Sequence, residues 1–242
     1  TPKAAGALTP GAVDAGRTSR STVRYSRSTD AMNSATKRST AAPSSVRPSA
    51  GAEASEELST LRVIDRHPMG LSPYERDAFG RSWSDIDRNG CNQRDDVLLR
   101  DALPDTVRVQ RQGACEHDVL AGSWLDPYTG KTLIFDNLKD LSQAQAIQID
   151  HVVPLAEAWV SGAATWTEER RELFANDLSG LLAVDGPANA SKGAGDPASW
   201  RPRKEFQCAY AVRWITVKTT WRLGVDASEE RALKELLGYC LS

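Results

Sequence analysis

Three polar clusters carry side chains whose chemistry could combine. Asp150 and His151 close the apolar run Ile147-Gln148-Ile149, the pair Asn176-Asp177 follows, and Asn189 and Lys192 stand in Asn189-Ala190-Ser191-Lys192-Gly193. An imidazole near its reference pKa of about 6.5 can accept a proton from water at neutral pH. A carboxylate and an amide carbonyl are hard oxygen ligands that suit Mg2+ or Mn2+. These are the parts needed to hydrolyse a phosphodiester: a base for the water, and a cation for the developing charge and the departing 3′ oxygen. Lys192 follows Asn189 by three residues, so on a helix it would share that face and could meet a substrate phosphate. Its other reading is a solvated lysine favoured by the dipole at a helix end.

Such a site needs elements that bring distant residues together. Ile147 to Val153 reads as a strand, and because neighbouring strand residues point to opposite sides, Asp150 and His151 converge only where the strand ends or bends. Pro154 favours that end. Leu181 to Val184 is a second short apolar strand, and Pro187 opens a helix of about two turns that Gly193 stops, with Asn189 on it. Two other acid-histidine groupings, Glu116-His117-Asp118 and Asp65-Arg66-His67, lack a following strand and an Asn-bearing helix.

Elsewhere Pro73 to Phe79 reads as a short helix and Asp95 to Leu99 as another, with strands at Val107–Val109, Val119–Trp124 and Thr132–Phe135. The last two strands are joined by the turn residues Asp126-Pro127-Tyr128-Thr129-Gly130. Helices are expected from Leu155 to near Gly162, from a Thr167 cap to Phe174, from Glu205 to Leu223, and from an Asp226 cap with Glu229 three residues on through to Cys240. The class is α+β, small sheets with helices segregated around them and a C-terminal helical pair. Trp159, Trp200, Trp214 and Trp221 are assigned to the core, and Asp177 and Asp196 to helix caps.

Composition divides the chain. Residues 1–55 are rich in Ser, Thr, Ala, Pro, Gly and Arg with few large apolar side chains, which reads as a disordered tail; 56–72 reads as a linker and 73–242 as the folded domain. Up to Ala52 there are eight basic residues against Asp14 and Asp30, a surplus of six, so a chain total of −2 leaves −8 for the remainder. An acidic domain must contact nucleic acid through a local basic patch, for which Arg201, Arg203, Lys204, Arg213, Lys218 and Arg222 are candidates, the other reading being a solvated helix face. The sequence has no run of about 18 apolar residues, so no transmembrane helix is expected. Oligomeric state has no signature in the sequence.

The chain opens with Thr1, which fits a processed product, and it has four cysteines outside Cys-x-x-Cys spacing. Cys240 lies on the apolar helix face Leu233, Leu236, Leu237, and Cys208 opens the preceding helix, so an antiparallel pair would bring the two together. The expected bonds are therefore Cys208 with Cys240 and Cys91 with Cys115, closing loops of about 25 to 33 residues worth roughly 3 to 4 kcal/mol each. Such bonds belong to an oxidising compartment, implying secretion or an extracytoplasmic location. Asp85-Ile86-Asp87-Arg88-Asn89-Gly90-Cys91 resembles the opening of a calcium loop. Its twelfth position is Asp96 rather than Glu, within a stretch that reads as helix, which argues against that use.

The segments Asp150-His151-Val152-Val153-Pro154-Leu155-Ala156-Glu157-Ala158-Trp159, Ser161-Gly162-Ala163, Phe174-Ala175-Asn176-Asp177-Leu178, Asn189-Ala190-Ser191-Lys192-Gly193 and Asp196-Pro197-Ala198-Ser199-Trp200 occur in an informative order. Together with Arg88-Asn89-Gly90-Cys91 and Asp126-Pro127-Tyr128-Thr129-Gly130, they resemble the HNH endonuclease family. Within it they are most similar to secreted bacterial proteins that share the C-terminal domain of GmrSD-type restriction enzymes. The resemblance runs from about Tyr74 to Cys240 and implies a ββα-metal finger: His151 as general base, Asp150 and Asn189 as ligands of one divalent cation, and DNA, or RNA, as substrate. The family's middle Asn usually precedes an apolar run; that position here is Gly180, a departure that leaves Asn176 for the positioning role.

Two other readings compete. One is an extracellular binding module that keeps the fold without turnover. The other is a cysteine hydrolase using Cys115 with His117, which requires a free thiol.

Overall fold

The computed structural model describes residues 48–65 and 69–241. Residues 1–47, and His67 with its neighbours Arg66 and Pro68, lie outside the described residues, and with them most of the expected tail.

The boundaries expected at residues 55 and 72 bracket a stretch that the structure partly builds into the folded unit. Helix α1 (Pro48–Thr60) crosses the first of them. It is rich in Ala and Glu, good helix formers, and it buries Ala54 and Leu58, one turn apart, in the main core. Gly51 permits a close approach to the C-terminal disulfide, since a Cβ there would meet Cys240 Cβ at 2.7 Å. Beyond α1 the chain pairs with Val225: Ile64 N–H donates to Val225 O at 2.8 Å, and Val225 N–H to Arg62 O at 3.0 Å. A segment expected to be tail and linker is thus partly built into the folded unit.

Next come a 3-10 turn at Arg76–Phe79 and α2 (Gln93–Asp101), whose N-cap Asn92 accepts from Asp95 N–H. Strands β1 (Arg108–Gln112), β2 (Cys115–Leu125) and β3 (Thr132–Phe135) form one antiparallel sheet in the order β1-β2-β3. A short helix not anticipated from the sequence, α3 (Leu141–Ala146), leads into β4 (Ile147–His151). Helices α4 (Leu155–Ser161) and α5 (Glu168–Ala175, capped by Thr167) separate β4 from its antiparallel partner β5 (Leu181–Asp185). β5 passes directly into α6 (Gly186–Lys192). The chain closes with α7 (Lys204–Trp221) and α8 (Ala227–Leu237), the latter begun by a capping box of Asp226 and Glu229. Small antiparallel sheets with a C-terminal helical pair make this an α+β fold.

Burial explains the strand patterns. Ile147 and Ile149 of β4 enter one hydrophobic cluster with Val97, Leu98 and Trp124, while Gln148 and Asp150 point to the opposite face. β5 is buried on both faces, Leu181 and Ala183 in that cluster and Leu182 and Val184 in the main core, which accounts for its unbroken apolar run. The main core is built around Tyr210, Trp214 and Ile215 of α7. Trp159 and Trp214 are buried in it, and Trp200 and Trp221 pack partly buried against it.

The basic patch expected from the C-terminal third does not form as one surface. Lys218 is fully buried, pairing with Glu157 at 2.7 Å and Glu229 at 2.6 Å. Arg213 donates to the carbonyls of Ser179 and Leu181, and Arg201 pairs with Glu235. Lys218 satisfies carboxylates that burial would otherwise leave unpaired, while the Arg201–Glu235 pair lies at the surface.

Both disulfides join the expected partners, Cys91 to Cys115 and Cys208 to Cys240. Among the described residues no cysteine is free, which removes the cysteine-hydrolase reading. The one His/Cys/Asp/Glu trio among the described residues whose ligand atoms already lie within 4.8 Å of one another, Cys91, Cys115 and His117, contains that disulfide and has no thiolates to offer. No helix among the described residues is long and apolar enough to cross a membrane.

Candidate active site

β4 carries Gln148 and Asp150 on the face turned away from Ile147 and Ile149, and stops at His151 just before Pro154, the N-cap of α4. β5 and α6 then bring Asn189 alongside. Asn189 Nδ2 donates to Gln148 Oε1 at 2.8 Å, which leaves Oδ1 as its acceptor. Asp150, His151 and Asn189 line a single solvent-open cavity of about 450 Å³, with Tyr74, Arg76, Trp83 and Arg94 on its walls.

The imidazole of His151 is held from two sides. Nε2 lies 2.8 Å from the carbonyl of Ala175, which can only accept, so Nε2 carries the proton and Nδ1 is the basic nitrogen. Trp83 stacks on the ring, centroids 6.1 Å apart and planes 13° from parallel. Burial lowers the His151 pKa to about 4; the Ala175 hydrogen bond acts the other way, and the charges of Arg76 and Lys192 add to the lowering. The ring is therefore neutral at pH 7, the form that can take a proton.

Ala175 ends α5, and Asn176 is the C-cap. Its side chain is buried, with Nδ2 donating to Glu172 O at 2.9 Å and approaching Arg81 O at 3.5 Å. The Asn176 side chain makes no hydrogen bond to the imidazole. It anchors the turn that presents the Ala175 carbonyl, and its buried Oδ1 has no partner. Asp177 caps the next turn through Ser179 N–H and accepts from Trp221 Nε1, and Asp196 accepts from the N–H groups of Ala198 and Ser199; both are structural, as caps and turn acceptors are.

Asp150 is 6% exposed and held by two donors. Tyr128 Oη donates to Oδ2 at 2.5 Å, and Lys192 Nζ sits 3.0 Å from Oδ1 and 2.9 Å from Oδ2. Burial pushes the Asp150 carboxyl above the usual carboxylate range, while Lys192 and Tyr128 act against that rise. Burial likewise lowers the Lys192 ammonium.

Lys192 was expected at a substrate phosphate, and the structure corrects this. Its side chain is fully buried, and Nζ also donates to the His151 carbonyl at 2.8 Å. It braces the end of β4 from inside. The cationic group on the cavity wall that is open to solvent is instead Arg76, from the 3-10 turn. Arg94, on the first turn of α2, also lines the cavity but spends its guanidinium on the carbonyls of Ala144 and Ile147.

Reading the sequence alone missed Tyr128, Trp83, Arg76 and Arg94. Tyr128 had a signal: it lies in the Asp126 turn, whose Oδ1 also accepts from Asp185 N–H at 3.1 Å, tying the turn to the end of β5. Trp83 had none, since only the folded chain brings it to His151.

Asp150 and Asn189 line one open cavity and offer a carboxylate and an amide oxygen, the hard donors a divalent cation takes, although both Asp150 oxygens already face Lys192 or Tyr128.

β4 and β5 form a two-stranded antiparallel unit that runs straight into α6, with His151 at the end of the first strand, the ββα order that the resemblance implied. Residues 92–236 match the family of GmrSD restriction endonucleases, C-terminal domain, and this chain belongs to that family, which gives it a nuclease-related function. It is 40% identical over 191 residues to an "Uncharacterized secreted protein" of Arthroderma benhamiae, covering 77% of this chain and 86% of the relative. No solved structure matches the chain.

Proposed function

We propose that this chain is a secreted endonuclease that hydrolyses phosphodiester bonds of DNA with one divalent cation, Mg2+ or Mn2+, bound by Asp150 and Asn189. The observation that carries this reading is the imidazole of His151, fixed through Nε2 to the Ala175 carbonyl in the cavity that Asp150 and Asn189 also line. The bound cation supplies charge stabilisation at the phosphoryl and leaving oxygens. His151 Nδ1 takes the proton of the attacking water, Asn176 steadies the carbonyl that orients the ring, and Tyr128 with Lys192 fixes the Asp150 carboxylate. Arg76 meets a substrate phosphate at the rim. Secretion is supported by the two disulfides and by the description of the relative.

The test is plasmid nicking across several divalent ions, with an RNA substrate in parallel. Mg2+ or Mn2+ supports cleavage, EDTA stops it, and His151→Ala lowers the rate by about 10² to 10⁴ while remaining folded. Equal rates for wild type and His151→Ala would falsify the role given to the base.

A further inference from the structure

The loop after Trp83 has a composition that the nuclease chemistry leaves unused. Asp85, Asp87, Asn89 and Gly90 stand at positions one, three, five and six of the spacing used by twelve-residue calcium loops, and position twelve is Asp96. That Asp96 lies in a helix does not exclude it. It sits in the first turn of α2, and its carboxylate folds back over the loop, where Asn89 Nδ2 donates to Asp96 Oδ1 at 3.0 Å and to Asp87 Oδ2 at 3.2 Å. Gly90, at φ +91°, has no room for a side chain: a Cβ would meet Ala114 O at 2.6 Å.

A second observation points to a ligand. Asp96 is 9% exposed, and its Oδ2 is buried with no hydrogen-bond partner; His117 and Asn89 both engage the other oxygen. Gln93, at position nine, is fully buried, and neither of its amide atoms has a partner. Leaving a buried carboxylate oxygen and a buried amide oxygen unsatisfied is costly, and a bound cation would satisfy those two oxygens, though not the amide nitrogen of Gln93.

We infer that this loop binds one Ca2+ through the side chains of Asp85, Asp87, Asn89 and Asp96 and the backbone carbonyl of Cys91 at position seven, with Gln93 adding a direct or water-bridged oxygen. The Asn89 amide nitrogen now stands between the carboxylates of Asp87 and Asp96 and holds them apart. Turning that amide puts its oxygen toward the ion at the cost of the bond it now accepts from Cys91 N–H at 2.7 Å, and the acids close around the cation. Ca2+ accepts six to eight oxygens in flexible geometry, which suits this set better than the strict octahedron of Mg2+.

The placement would couple the ion to the nuclease cavity without entering it. The loop starts two residues after Trp83, the ring stacked on His151, and α2 carries Arg94 to the start of β4. The Cys91–Cys115 bond and the contact of His117 with Asp96 tie the loop to β2.

The experiment is calorimetric titration of the full chain with CaCl2 alone, alongside thermal unfolding. Wild type is expected to bind one equivalent with a Kd of about 10⁻⁴ to 10⁻³ M or tighter, and to gain about 5–10 °C in Tm at a hundredfold excess over Kd. Mg2+ binds at least about tenfold more weakly at this loop. Asp96→Asn should abolish binding, but it also disturbs His117, so exposed Asp87→Asn, with its fold checked by circular dichroism, is the second variant and should weaken binding at least about tenfold. Asn189→Ala, in the nuclease cavity, should bind Ca2+ like wild type. The inference is overturned if wild type neither binds nor gains stability, if folded Asp87→Asn binds as wild type does, or if Asn189→Ala is the variant that loses the ion.

Discussion

Lys192→Met separates two incompatible roles for one residue. A lysine reaching from a short helix to a substrate phosphate is exposed in the free protein, so its loss raises KM and changes stability by no more than about 0.5 kcal/mol. The structure instead buries the side chain completely, with Nζ within 3.0 Å of both Asp150 oxygens. Removing one partner of a buried pair leaves an uncompensated charge and costs about 3–5 kcal/mol. In a folded unit of this size each kcal/mol is worth about 2–4 °C, so Tm should fall by roughly 6–20 °C. Methionine nearly preserves the volume, which keeps cavity formation out of the result. Thermal unfolding by circular dichroism at pH 7 gives the stability, and steady-state plasmid nicking at a temperature where the variant is folded gives the kinetics. The loss is expected in kcat, because the Asp150 carboxylate loses the ammonium that keeps it charged and oriented. Asp150→Asn/Lys192→Met should recover part of the lost Tm, since neither charge remains, while staying inactive. A Lys192→Met protein within about 2 °C of wild type, with raised KM and unchanged kcat, would refute the internal-brace assignment.

Other consequences can be checked separately. With its pKa lowered to about 4, His151 is the neutral base above that, so the limb of kcat/KM that belongs to this ring should lie near 4, and a limb near 6.5 that persists in a variant without the Asp150 carboxyl would mean the ring is unperturbed. The linkage has a matching sign: the unfolded chain protonates this histidine below about 6.5 and the folded chain does not until about 4, so its contribution to stability is lost as pH falls through that window. Arg76→Ala should raise KM about 5- to 30-fold with Tm almost unchanged and reduce the salt dependence of KM by about one phosphate contact, whereas no change in KM would remove Arg76 from the substrate path. Replacing Cys208 and Cys240 by Ala should cost about 3–4 kcal/mol in denaturant unfolding, and an unchanged midpoint would contradict the stabilising role of that loop closure.

What the sequence revealed of this site was what short-range pattern can carry. The alternation of Ile147 and Ile149 with Gln148 and Asp150, the stop at Pro154, and the Pro187 and Gly193 bounds of α6 are local signals, and they position the strand end and the helix. The direction of Lys192 was not legible, although it follows Asn189 by three residues. Three steps of about 100° leave the two side chains about 60° apart around the axis. On a helix as short as α6 that is enough to keep Asn189 at the cavity while Lys192 passes beneath it to Asp150. Helix α1 was hidden for a different reason: its packing uses Gly51, Ala54 and Leu58, and small residues register as low complexity in composition even where close approach is their function. Tyr128 and Trp83 reach the site across long stretches of chain, and no periodicity encodes such a meeting.

The two halves of the site are also secured by different means, which bears on where change is tolerated. His151 is oriented by a backbone carbonyl, so the identity of residue 175 matters little provided the end of α5 stays in place; the sensitive position is Asn176, whose side chain holds that turn to Glu172. Asp150 is oriented by side chains alone, a phenol and an ammonium, and each is replaceable only by a group that can donate to a buried carboxylate. The departure at Gly180 fits this division. If the residue before β5 need not hold the imidazole because the α5 terminus does so, a glycine there costs the site nothing, and the positioning task falls to Asn176.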